Sequence, residues 1–359
     1  MNKEKLLSNF YFLDKLISKK WKPFSKLMIR GDGADWVLSS IAKELKKIMP
    51  MVGIETINNH YYYNISNQSV FFTSKYEVLN EWPKINHRIA FPYFHGMPEN
   101  GDQFKLMFDN ISKYHHSICR IQVSHTQMQQ KILETGINSE KIFKIPISIN
   151  LDLFKKYDSN RRLELRKFYG IPENSRVIGS FQKDGVGWSV GKSPKLIKGP
   201  DIFIKVIKEL KRDFPNLFVL LSGPSRGYVK ENLQNINVPF KHVVLKNYKL
   251  INLLYNCLDL YIVTSREEGG PRSILESMAS GVPIVSTKVG QATDLIQHGI
   301  NGWLTEISDV SSLASCSKDI LNNSNSLDNV LENAQIVASN NSYMSQINLW
   351  KKFMGGFID

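Results

Sequence analysis

Ser265-Arg266-Glu267-Glu268-Gly269-Gly270-Pro271-Arg272-Ser273-Ile274-Leu275-Glu276-Ser277-Met278-Ala279-Ser280-Gly281-Val282-Pro283 lies between two apolar runs, Leu258–Thr264 and Pro283–Thr287. The order reads strand, loop, helix, strand, the repeating unit of a parallel α/β sheet. Gly269 and Gly270 let backbone amides approach a ligand with no Cβ in between. Pro271 presets the first helical turn and Gly281 stops the helix. The N-terminus of that helix offers N–H groups and the positive end of a dipole, a seat for a diphosphate. Glu276 stands about one turn inside and has two acceptor oxygens, enough for the two vicinal hydroxyls of a ribose. Glu268 precedes the glycines, beyond a strand end, where open α/β sheets bind ligands. In isolation either glutamate reads as an ordinary solvated carboxylate. Their separation by seven residues, with Gly-Gly-Pro between them, sets the pair apart.

The same alternation extends outward along nearly the whole chain. Lys26–Arg30 reads as a strand, Gly31–Asp35 as a loop, and Trp36–Ile48 as a helix with Val37, Ile41 and Leu45 at helical spacing. Arg88–Phe94 reads as a strand ending at His95-Gly96. Ile118–Val123 is another, followed by a helix over Thr126–Thr135 and a short strand over Lys141–Ile147. A second series begins with the strand Arg176–Phe181 and a Gly-rich stretch from Asp184 to Lys198. A helix over Pro200–Phe214 follows, then strands Leu217–Ser222, His242–Leu245 and Leu258–Thr264. After Pro283–Thr287 a further helix begins near Thr293, and Asn322–Asp328 is a polar loop. The pattern predicts an α/β protein of two Rossmann-like, doubly wound domains, 1–160 and 161–341. A last helix, Ser342–Met354, has Met344, Ile347, Leu349, Trp350 and Phe353 as its apolar set.

Composition narrows the class. The chain has 359 residues, a length suited to two domains, and its hydrophobic fraction of 42% can fill two cores. No stretch approaches the roughly 18 apolar residues of a membrane span, and the charged N-terminus lacks the pattern of a secretory signal. Cys119, Cys257 and Cys316 are widely spaced, which suits neither a disulfide framework nor a zinc site and predicts a cytoplasmic protein. The net charge of +13 is uneven. Residues 1–167 hold 26 basic against 16 acidic side chains, and the remainder holds 20 against 17. The basic half suits an anionic partner. In residues 1–30, Leu6, Phe10, Leu13 and Ile17 share one helical face among eight basic and two acidic residues. That segment reads either as a helix packed on the first domain or as a peripheral contact with an anionic membrane.

The segment from Glu268 to Glu276 resembles the E-x7-E motif of the retaining glycosyltransferases of family 4, also called glycosyl transferases group 1, which have the GT-B fold. Residues 118–154 resemble the stretch ahead of that family's interdomain linker, with Ser148 where glycine is usual and Asn150 where aspartate is usual. Lys198-Gly199 resembles the Lys-Gly that opens the first donor-domain helix, and residues 284–304 the stretch that closes the domain. The resemblance implies two domains facing across a cleft, with the last helix, about 342–359, returning to the first domain. It implies a nucleotide-sugar donor and a glycan or lipid-linked acceptor, with retention of anomeric configuration. Glu276 would hold the ribose hydroxyls and Glu268 the hydroxyls of the transferred sugar. The backbone at Gly269, Gly270, Pro271, Arg272, Ser273 and Ile274 would line the sugar and diphosphate, and Lys198 would neutralise the leaving diphosphate. A second cation, commonly an arginine after a glycine, is absent from Gly179-Ser180-Phe181-Gln182-Lys183. Lys183 is the candidate replacement, with Arg272 and Lys192 as alternatives. In the first domain the loop with Gly31, Gly33 and Asp35 would face the donor, and His95 would lie near the transferred sugar. His125 reads as structural and His115-His116 as surface. No Asp-x-Asp triplet occurs, so neither metal nor other cofactor is expected.

Three other readings compete. A GT-B nucleotide-sugar epimerase shares the fold and the ribose-binding carboxylate; a phosphorylase needs a pyridoxal lysine that no position suggests. A non-catalytic sugar- or partner-binding subunit would dispense with Glu268 or Lys198, and both are present. Nucleic-acid binding fits the pI of about 9.4, but no recognised module or aromatic-basic interleaving accompanies it.

Overall fold

A computed structural model describes residues 22–31, 37–57, 67–80, 82 and 86–359. The chain divides into two compact units, Met1–Pro146 with Tyr343–Asp359, and Ile147–Ser342. Among the described residues the first unit contains strands β1 (Leu27–Arg30), β2 (Thr56–Ile57), β3 (Ser69–Phe72), β4 (Arg88–Pro92), β5 (Ile118–Val123) and β6 (Ile142–Lys144). They form one sheet in the order β2-β1-β3-β4-β5-β6, with every pair parallel. Helices Val37–Ile48, Asp102–Tyr114 and Thr126–Leu133 supply the crossovers that parallel pairing demands. The strand expected over Lys141–Ile147 is cut to three residues, because Pro146 has no N–H to continue the ladder. The Ser69–Phe72 strand, absent from the sequence reading, is a short, wholly buried run with no alternation to mark it.

The C-terminal helix, Ile347–Met354, belongs to the first unit. Trp350 and Phe353 both meet Phe71 of β3 edge-on at 5.8 Å. Beyond the helix, Ser69 Oγ donates to the Phe357 carbonyl at 2.6 Å and Arg120 Nη2 to the Gly355 carbonyl at 2.8 Å. The helix starts later than expected, which leaves Met344 outside it and exposed; within it Leu349 faces outward and Trp350, Phe353 and Met354 form the buried face.

The second unit contains β7 (Arg176–Phe181), β8 (Leu217–Ser222), β9 (Phe240–Val243), β10 (Leu260–Val263), β11 (Ile284–Thr287) and β12 (Trp303–Thr305). All pairs are parallel, in the order β12-β11-β10-β7-β8-β9. Side chains alternate between two cores, one on each face. Phe218, Leu220, Tyr261 and Val263 enter one; Leu217, Val219, Leu221, Leu260 and Ile262 enter the other. The second unit starts at Ile147, ahead of the boundary expected at 160/161. Ile149 and Phe154 lie in its core, Tyr157 N donates to Asn256 Oδ1 at 2.7 Å, and Asn252 and Asn256 both donate to the Lys155 carbonyl.

Trp350→Ala should destabilise the first unit by about 3–5 kcal/mol, since it empties a large buried volume against β3. Urea unfolding followed by circular dichroism measures this; an unchanged midpoint would show that the C-terminal segment does not hold that sheet.

Candidate functional site

The second sheet changes direction between β7 and β10. The chain runs from β7 to β8 and β9 on one side, then crosses back to β10, β11 and β12 on the other. Loops leaving adjacent strand ends in opposite directions open a crevice at that point, the usual ligand seat of such sheets. The loop after β7 ends at Gly199, whose φ is +65° and whose added Cβ would stand 1.8 Å from the Thr264 carbonyl just past β10. Thr264 Oγ1 donates to the Gly199 carbonyl at 2.8 Å. Only glycine allows this approach, and it brings the two loops together.

Charges settle at the junction. Lys198 Nζ lies 2.6 Å from Glu268 Oε2, with both side chains more than three-quarters buried. Ser265 Oγ donates to the other Glu268 oxygen at 2.9 Å. Arg266 grips Asp201 through two nitrogens, at 2.8 and 2.7 Å, and donates to the Leu196 carbonyl at 2.6 Å. The Arg266 and Glu267 amides both bond to the Ile197 carbonyl. Lys195 joins the group: burial, and then the charges of Lys198 and Lys183, lower its pKa, while Glu268 and Glu267 offset part of the effect. Lys183 Nζ sits 3.7 Å above the Trp188 ring, and Lys192 is exposed.

The helix Arg272–Ala279 begins at Pro271, directly beyond Gly269 and Gly270. A Cβ on Gly270 would meet Ile147 Cδ1 at 2.7 Å and Gln291 Oε1 at 2.9 Å. The space on the Cβ side of this glycine is therefore taken by the protein's own side chains. Ile274 buries its side chain in the core, so only its backbone is available to the site. Arg272 is buried along the helix with its Nε 3.7 Å from Glu276 Oε1. Ser273 bonds to Tyr261, whose oxygen accepts from Phe181 N at 3.0 Å. Glu276 is 6% exposed. Tyr255 donates to its Oε2 at 2.9 Å and Tyr248 donates to its Oε1.

Residues 170–337 match the family model of the glycosyl transferases group 1. That stretch holds the whole site from Lys183 to Glu276. N-acetyl-alpha-D-glucosaminyl L-malate synthase of Bacillus anthracis is 27% identical over 42% of this chain and 37% of its own length. Protein CapJ of Staphylococcus aureus is 30% identical over 56% of this chain and 53% of its own. The matched stretches thus span about a third to a half of these relatives. The crystal structure of Anabaena HepE in complex with UDP-glucose superimposes with a TM-score of 0.69 at 17% identity, over 92% of this chain and 98% of that one. At that identity the likeness shows the fold: α/β, GT-B, with two Rossmann-like domains.

Under the site lies a buried ion pair that the sequence did not reveal. Arg226 Nε is 3.0 Å from Asp184 Oδ1, with side-chain exposures of 0% and 1%. Arg226 also donates to the carbonyls of Ser180, Gln182 and Ser222, tying the ends of β7 and β8 to the loop that carries Lys183 and Lys195. Burial pushes the Asp184 carboxyl up, and Arg226 opposes the shift. Tyr248 and Tyr255 were equally invisible, since each sits more than twenty residues from Glu276.

In the first unit, Gly31 follows β1; Gly33 and Asp35 lie outside the described residues, as does the segment Met1–Trp21. His95 stands exposed beyond the end of β4. Lys75 donates to its carbonyl, and its Nε2 is 3.5 Å from the Tyr76 hydroxyl. His125 is buried and bonds Ser124 Oγ at 2.9 Å. No helix among the described residues is long and apolar enough to cross a membrane.

Hydrogen bonds from Arg266 hold the Asp201 carboxyl below the ordinary carboxylate range. The stability this contributes is complete above the unfolded value of about 3.9 and is lost as pH falls through the depressed folded value. Asp201→Asn should therefore cost about 1–2 kcal/mol at pH 7, allowing for solvent screening of a partly exposed pair, with the gap closing below about pH 4. Thermal denaturation of both proteins between pH 3 and pH 7 checks the sign; a gap independent of pH removes the ion pair from the account.

Proposed function

We propose that the protein is a glycosyltransferase that moves a sugar from a nucleoside-diphosphate-sugar to an acceptor hydroxyl. The observation that carries this reading is the Lys198–Glu268 pair, set before a helix N-terminus, with the buried Glu276 on the same helix. The match of residues 170–337 to a glycosyl transferase family supports it.

Each part of the donor has a counterpart. Glu276 takes the ribose hydroxyls. The diphosphate lies against the N-terminal turn of helix Arg272–Ala279, where N–H groups and dipole favour negative charge. Lys198, assisted by Lys183, neutralises the leaving group, and Glu268 contacts the hydroxyls of the transferred sugar. The family resemblance alone assigns His95 to the transferred sugar and the loop of Gly31, Gly33 and Asp35 to the donor. In the reaction the C1–O bond to the diphosphate breaks and a C1–O bond to the acceptor forms. The acceptor proton passes to a diphosphate oxygen. The transition state resembles an oxocarbenium ion leaving a growing negative charge, and fixed cations and amides aimed at that charge lower the barrier. Attack on the face from which the diphosphate departs gives retention. Lysines supply the positive charge, so no metal is required. The acceptor is a glycan, polysaccharide or lipid-linked hydroxyl. The three widely spaced cysteines suit a reducing, cytoplasmic setting, and the basic first half suits an anionic membrane nearby.

A thermal-shift panel of UDP-, GDP- and ADP-sugars tests the donor site. One nucleotide class should stabilise the wild type and lose its effect in Glu276→Ala; an unchanged response in the variant puts the ribose elsewhere. Glu268→Gln should lower turnover by about a hundredfold, the scale of losing one well-placed polar contact to the transition state, with nucleotide affinity nearly intact. Turnover should persist in EDTA. Conversion of the nucleotide-sugar to its epimer with no acceptor present would favour the epimerase reading instead.

A further inference from the structure

Glu276 is a buried carboxylate with both oxygens engaged. Tyr255 donates to Oε2 at 2.9 Å, Tyr248 donates to Oε1, and Arg272 Nε lies 3.7 Å from Oε1. A buried carboxylate needs such donors, because an unmet one costs far more than a solvated one. The two tyrosines hold it from different kinds of structure.

Tyr255 is fully buried. It ends the helix Ile251–Tyr255, and its ring packs on Phe181 at 4.9 Å, Tyr261 at 5.3 Å and Phe154 at 6.2 Å. Burial, and then the Glu276 charge, keep its hydroxyl protonated and a donor. Tyr248 is 41% exposed, within the run Lys246–Leu250, in which every residue is exposed. Its ring meets Phe154 edge-on at 6.3 Å and lies 5.3 Å from the Arg272 guanidinium carbon. One donor is locked in the core, and the other sits on a short turn at the surface.

Both oxygens of the carboxylate assigned to the ribose thus already carry a donor. Each could accept a second hydrogen bond, but Glu276 is only 6% exposed, so a vicinal diol competes for room at Oε1 with the donor nearer the surface. Resting on the donor-site reading above, we propose that Tyr248 is an internal competitor for the ribose of a nucleoside diphosphate. Its hydroxyl and a ribose hydroxyl exchange at Glu276 Oε1, while Tyr255 holds Oε2 throughout as a positioning residue. The exchange trades one neutral hydroxyl for another, so the site recognises ribose by a net difference in hydrogen bonding. A nucleotide lacking these hydroxyls leaves Tyr248 in place.

The two tyrosines should then act with opposite signs. Removing the competitor, Tyr248→Phe, should tighten nucleoside-diphosphate binding by roughly three- to tenfold, the worth of one net hydrogen bond. Removing the anchor, Tyr255→Phe, should weaken it. Isothermal titration calorimetry of the full chain with UDP, GDP and ADP identifies the nucleotide that binds. The same nucleotide as its 2′,3′-dideoxy form is the control, and the Tyr248→Phe gain should vanish with it. Equal or weaker binding of the ribonucleotide to Tyr248→Phe overturns the proposal, as does a gain that persists with the dideoxy form. Glu276→Ala separates the two levels. If it abolishes binding while Tyr248→Phe behaves as wild type, the donor site stands and the competition fails. If Glu276→Ala binds normally, or no nucleotide binds the wild type, the site reading fails and takes this inference with it.

Discussion

Gly199 presses against the carbonyl of Thr264, and the second unit's site is arranged around that contact. With φ at +65° and 1.8 Å left for a Cβ, the position admits no other residue without moving β10's loop. The approach lets Arg266 and Glu267 bond to the Ile197 carbonyl and lets Arg266 clamp Asp201. Those bonds in turn bring Lys198 within 2.6 Å of Glu268. Lys198 and Glu268 come from segments seventy residues apart and meet because two parallel strands end side by side at a change of direction.

Electrostatic balance in the site is local. Burial, and then the charges of Lys198 and Lys183, raise the cost of ionising Lys195, and Glu268 and Glu267 relieve it in part. A diphosphate at the proposed donor site would meet this concentration of positive charge. Beneath them the Asp184–Arg226 pair is paid for by burial of both charges, and its return is geometric: three strand-end carbonyls and the loop bearing the lysines are tied to one guanidinium.

The chain enters and leaves the second unit side by side. Ile149 N bonds the Asn341 carbonyl at 3.1 Å, so the segments at the two ends of the second unit are joined to each other, with Ile149 buried in its core. The first unit is completed only after the second has been traversed, when Trp350 and Phe353 cover Phe71. Its β3 buries all four residues, a degree of burial that needs this late-arriving helix.

Local sequence determined the strands whose apolar runs had sharp ends. Ile118–Val123, Arg176–Phe181 and Leu217–Ser222 lie where their patterns placed them, as does the helix that Pro271 opens and Gly281 closes. Weaker patterns hid the helices Val310–Asn322 and Asp328–Asn340, where Ser317 and small alanines occupy the buried stripe. The spacing of Glu268 and Glu276 was legible because both belong to one strand-loop-helix unit. What those glutamates touch was decided by tertiary structure. Tyr248 and Tyr255 reach Glu276, and Arg226 reaches Asp184, across separations that no periodicity records. The energy of a buried charge depends on which partners the fold delivers to it, and only the packed chain specifies those.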